Sequence, residues 1–214
     1  KAEGWETWVR RVDAFSTLGV LKDPLYSFMA KYSEYRLANL ILHEQTHATI
    51  WANGHFDFNE QLATFMGDRC ALDYVGHEYG PDSTEYRAVG DQDADQQTFY
   101  DDLAGLREQL SAIYATKNDN AEKEDAKFAA IRSWQAGFAA TAAQRYRTRD
   151  YDGLATMKIN NAFLDLYQTY TGRNELFSRM YEAAGTMPEF IRLMKEAARS
   201  SNPFTWMEKR LAGD

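Results

Sequence analysis

Residues 43–47 read His-Glu-Gln-Thr-His. Imidazoles four positions apart stand one above the other on a helix face, close enough to hold one metal ion. Glu44 sits about 100° round the helix from His43, so it flanks that spot, where a carboxylate can act as general base toward a water at the metal. A third ligand requires the chain to turn back. Asn53–Gly54 is a pair that favours the left-handed backbone of such a reversal, and the segment beyond it carries Glu60. His43, His47 and Glu60 would leave a fourth position open for water, the arrangement of a catalytic zinc ion. Two other readings stay open: Asp57–Glu60 has the form of a capping box, in which Glu60 bonds only the backbone, and His55 is a competing third ligand within the turn. The metzincin spacing is absent, because Ile50 and Asn53 stand where that pattern needs Gly and His.

These residues need elements to position them. Ser33 is a suitable N-cap for a helix over 34–52 whose apolar face includes Leu37, Leu40, Ile41 and Ile50. A second helix is expected from Phe58 to Tyr79, before Gly80–Pro81. Ser83–Lys117 and Ala121–Arg147 read as a helical hairpin around the polar Asn118–Asn120. Gly153, Gly172, Gly185 and Pro203 then punctuate shorter helices at 156–171, 173–184, 187–200 and 203–211. Ahead of all these, Gly4–Phe15 alternates loosely and reads as a strand entering a turn at Ser16–Gly19. The expected fold is mainly α with a short N-terminal edge strand or small sheet. The 214 residues are expected to form one domain, with the strand and turn over 1–20, the active-site helix pair over 21–79 and a helical subdomain over 80–214. A lone strand and a first residue that is not Met suggest the C-terminal portion of a longer chain.

Thirteen Tyr, twelve Phe and five Trp exclude a disordered chain. A formal net charge of −8 opposes attraction to nucleic-acid phosphates or anionic lipid surfaces. No apolar run approaches the roughly 20 residues of a membrane span. The single cysteine, Cys70, forms no intrachain disulfide and reads as a small core residue. Asp91, Asp93 and Asp95 with Asp102 mimic a calcium loop, but Gln96 stands where that loop turns on Gly, and the segment reads as a solvated helix face. Arg145, Arg147 and Arg149 read as complements of a helix dipole. For the oxyanion of an acyl-transfer step, Tyr167 and Tyr170 or the amides of Asn160 and Asn161 are candidates, although helix packing explains such residues more often.

Val12–Gly19, Asp23–Leu25, His43–His47 and Phe58–Phe65, with Ile159–Ala162 and Ala184–Phe190 further on, resemble a bacterial family of zinc aminopeptidases. That family belongs with the gluzincins, whose signature is HExxH followed by Glu on the next helix. The resemblance implies a zincin-like catalytic helical domain with His43, His47 and Glu60 as zinc ligands and Glu44 as catalytic carboxylate. It implies a peptide substrate able to pair with the 5–12 strand, and a periplasmic or lipid-anchored protein at the bacterial envelope, any anchor lying ahead of Lys1. Gln45 and Ala48 depart from the family's usual residues without touching the metal. A free α-amine would call for an acid near the cleft, and Glu34, Asp57 and Glu78 qualify. The contrasting expectation is a non-catalytic helical binding or scaffold domain with a structural or vestigial metal site; an intact Glu44 argues against it, because a structural site has no use for a base.

Overall fold

The computed structural model describes residues 6–9, 26–171 and 173–213, the side chains of 168–171 excepted. Among these residues the fold is mainly α: α1 (Glu34–Thr49), α2 (Phe56–Tyr79), α3 (Thr84–Tyr114), α4 (Asn120–Arg145), α5 (Asn161–Thr171), α6 (Asn174–Ala184), α7 (Met187–Arg199) and α8 (Pro203–Ala212). The strand expected over 5–12 lies mostly outside the described residues, and residues 6–9 carry no strand. What holds 6–9 is not a ladder. Thr7 O accepts from Asn160 Nδ2, the Glu6 carboxylate accepts from the Asn161 amide and pairs with Lys127 at 2.6 Å, and Trp8 packs edge-on against Phe163.

The chain divides into two compact units, one of Lys1–Val9 with Arg87–Tyr167 and one of Arg10–Tyr86 with Gln168–Asp214. In the first, Phe99, Leu103, Leu106 and Leu110 line one face of α3 at helical spacing and share a core with Ile131 and Phe138 of α4 and with Leu154, Ile159 and Phe163. The fifth helix begins at Asn161, not near 156. Gln135 Nε2 donates to both Leu154 O and Met157 O, and Asn160 Oδ1 caps the Phe163 amide. These bonds hold the segment before α5 out of helical conformation.

The acidic stretch on α3 and the basic cluster at the end of α4 bind each other, which corrects the reading of the acids as a solvated face, while Arg145 does sit in the last turn of α4. Asp95 is 1% exposed. Its carboxylate accepts from the amides of Arg147 and Thr148 and from the Thr148 hydroxyl, at 2.6–2.7 Å. Asp91 pairs with Arg147, and Asp102 binds Arg145 and the Tyr146 hydroxyl. Burial alone would raise the Asp95 pKa, but the donated hydrogen bonds outweigh it and hold the carboxyl below its ordinary value of 3.8.

The second unit holds α1 and α2. Ile50, Ala52, Phe58, Leu62, Phe65 and Met66 bury against Phe177 and Met180 of α6, Phe190 and Met194 of α7 and Met207 of α8. Full burial of each large apolar side chain contributes roughly 1.5–3 kcal/mol. Gly185, at φ +71°, ends α6 in the left-handed conformation, and Thr186 then caps α7.

Replacing Asp95 by Asn puts an NH2 group where three donors converge. Asp95→Asn is expected to cost about 1–3 kcal/mol, read as a lower urea midpoint. A depressed folded pKa contributes stability that is present above the unfolded value and lost as pH falls through the folded one. Wild type should therefore lose more stability than Asp95→Asn as pH is lowered below about 4.

Candidate metal centre

The site is built on the α1–α2 pair and the reversal between them. Ser33 Oγ caps α1 by accepting from the Arg36 amide at 3.2 Å. The helix stops at Thr49, short of the expected 52, because Ile50 turns extended at φ −137°, ψ 118°. A buried amide holds the chain there: Ala52 N donates to Asn59 Oδ1 at 2.9 Å and Asn59 Nδ2 donates to Ala52 O at 3.0 Å. Both polar ends of the Asn59 side chain are thus spent on one residue of the turn, and Gly54 supplies the positive φ of +80° that closes it. Helix α2 starts at Phe56, two residues before the expected position, with His55 as N-cap. Asp57 is consequently inside the first turn, so the capping box that would have tied Glu60 to the backbone does not form there.

Glu60 faces the imidazoles. Its Oε1 lies 3.5 Å from His47 Nε2 and its Oε2 lies 3.8 Å from His43 Nε2. One ligand atom from each of the three residues falls within 4.8 Å of the others. Atoms 2.0–2.1 Å from a tetrahedral zinc ion are about 3.4 Å apart, a separation that the two Glu60 contacts approach. The donor set also fits: His47 is 7% exposed and turns its Nε2, the nitrogen a metal would take, toward Glu60. Burial also lowers the His47 pKa, which keeps the imidazole neutral and its lone pair available to a metal. Among the described residues, this is the group of His, Cys, Asp and Glu side chains that converges in this way. His55 stays in the turn, its amide donating to Ala52 O and its carbonyl accepting from Asn59 N.

Two residues that spacing did not single out set the distance between the helices. A Cβ built on Gly67 would lie 3.0 Å from Asn39 O and 3.3 Å from the His43 Cβ. Glycine there lets α2 close on the backbone of α1 beside His43. Next to it, Asn39 Nδ2 donates to Asp68 Oδ1 at 2.6 Å. An isolated glycine inside a helical pattern was the available sequence signal, since such a residue costs helix stability unless close packing requires it. At the far end of the pair, Tyr79 donates to Glu34 Oε2 at 2.5 Å, and this bond to a carboxylate lifts the tyrosine pKa to about 12.

Glu44 is half-buried on α1 between the two histidines. Tyr167 belongs to the other unit, where its ring packs at 4.8 Å from Phe99 and 4.9 Å from Phe163. The Tyr170 side chain lies outside the described residues. Asn160 and Asn161 are also in the other unit; Asn160 spends its amide on Thr7 and Phe163, and Asn161 Oδ1 accepts from Tyr114.

Two imidazoles one helical turn apart and a carboxylate from the following helix define a gluzincin-type metal site. Residues 1–205 match the family described as "Putative aminopeptidase", and the chain belongs to that family. No curated protein and no solved structure matches it. The family and the ligand cluster together make the chain a metallopeptidase.

Gly67→Ala forces the helices apart at His43. The expected result is a loss of about 1–3 kcal/mol in stability and at least tenfold weaker zinc binding, measured by competition with a chromogenic chelator. Unchanged affinity would show that the close approach does not set the site.

Proposed function

We propose that the protein removes N-terminal residues from peptides with a zinc ion held by His43, His47 and Glu60 and with Glu44 as proton carrier. The observation that carries this reading is the convergence of the three ligand atoms in a chain of the aminopeptidase family. When bound, zinc supplies Lewis acidity toward the scissile carbonyl and acidifies a water toward a pKa of about 7. His47, buried and neutral, presents its Nε2 lone pair, while Glu60 brings the charge that makes the ligand set a net monoanion. Glu44 is in neither ligand role: one residue beyond His43, it accepts the proton of the attacking water and returns it to the departing amine.

Exopeptidase specificity requires an acid for the substrate's α-amine. Glu34 is engaged by Tyr79, and Glu78 lies 3.2 Å from His77 Nδ1. Asp57 is one helical turn before Glu60, on a neighbouring part of the same helix face, which favours it as the amine's partner. The family resemblance also supports a zincin-like catalytic helical domain and a periplasmic or lipid-anchored location. No helix among the described residues is long and apolar enough to cross a membrane.

Glu44→Gln should retain stoichiometric zinc by elemental analysis while its turnover of amino-acid anilides falls about 10²–10⁴-fold. His47→Ala should lose the metal itself. Full activity of Glu44→Gln, or cleavage confined to N-terminally blocked peptides, would contradict the proposed mechanism or the exopeptidase assignment respectively.

A further inference from the structure

The stripe of α1 that carries the ligands continues past the helix. His43 and His47 stack edge to face at 4.9 Å between ring centroids, and His47 and Trp51 do so at 5.7 Å. Trp51 is 42% exposed although its neighbours Ile50 and Ala52 are buried. The cause is the turn: extended backbone at Ile50 sends successive side chains to opposite faces, and the Asn59 bonds pin Ala52 inward. The indole is therefore held outside, against a metal ligand.

The antiparallel register extends this to α2. Asn39 faces Asp68 and His47 faces Glu60, eight residues forward on one strand of the hairpin and eight back on the other. Trp51 follows His47 by four residues, just past the end of α1, and Phe56 precedes Glu60 by four at the start of α2. Phe56, one helical turn before Glu60, is 58% exposed. Single exposed aromatics need no explanation, but two that flank the ligand-bearing segments on either side of the turn offer apolar surface there.

We propose that Trp51 and Phe56 form the subsite for a large apolar side chain of the substrate, next to the bond to be cleaved. This rests on the peptidase reading and adds a preference to it. The occupant follows from the chemistry: two exposed aromatic faces, one of them in direct contact with a ligand of the ion toward which the substrate carbonyl must come. Apolar pockets of this kind discriminate by about 10–200-fold.

The test is calorimetric titration of zinc-loaded protein with L-phenylalanine hydroxamate and L-alanine hydroxamate. Wild type should bind the phenylalanine compound at least tenfold more tightly. Trp51→Ala should bring the ratio below threefold at unchanged zinc content, with Trp51→Phe retaining most of it. Phe56→Ala, a change on the surface, should lower it too, and it decides the matter if Trp51→Ala folds poorly or loses zinc. A wild-type ratio near one, or a ratio that survives in the variants, overturns the subsite. Discrimination between hydroxamates without cleavage of any anilide would instead overturn the peptidase reading and leave the subsite standing; absence of binding by either compound overturns both.

Discussion

The bond pair between the Asn59 side chain and the backbone of Ala52 is the constraint on which the metal centre depends. An amide 98% withdrawn from solvent must satisfy both its donor and its acceptor or incur the full desolvation cost. The observed path of the chain between α1 and α2 lets it do so through Ala52. That path ends α1 after Thr49, starts α2 at Phe56 and thereby sets which residue of α2 lies opposite His47. Glu60 is the residue next to Asn59, so the group that fixes the turn and the group that completes the ligand set are positioned by one segment of helix.

The other unit solves a similar problem with a carboxylate. Asp95 is buried on α3 and collects the backbone amides of the connection after α4. In both units a nearly inaccessible polar side chain binds main chain, and the hydrophobic core closes around it. Long helices packed by apolar faces tolerate small slides and rotations; a buried polar group with fixed partners does not, because each displaced bond is left unmet. Precise placement thus comes from a few polar contacts, and the apolar residues supply most of the free energy.

Much of this was legible in the sequence because it is local. HExxH, the glycine in the reversal and the glutamate beyond it follow from helical geometry, and the boundaries of α4, α6, α7 and α8 follow from caps and breakers within a residue or two. What escaped was long-range. Nothing near Asp95 announces that its partners are the amides of Arg147 and Thr148, and an acidic run with a basic run elsewhere looks like two solvated surfaces until the fold brings them together. Asn59 lies inside a stretch with the form of a capping box, whose cap proved to be two residues upstream of Asp57. Gly67 could be flagged as unusual in a helix, but its reason, the carbonyl of Asn39, lies on another element.

The pinned hairpin has a thermodynamic consequence for the ion. In a flexible chain, a metal that has bound two histidines must wait for its third ligand to diffuse back, and the entropy of closing that loop is subtracted from the affinity. Here the turn clamp at one end and the Tyr79–Glu34 bond at the other have closed it before any ion arrives. The hairpin therefore behaves as a preformed chelator with Glu60 at high effective concentration, and the free energy of folding already contains part of the free energy of metal capture.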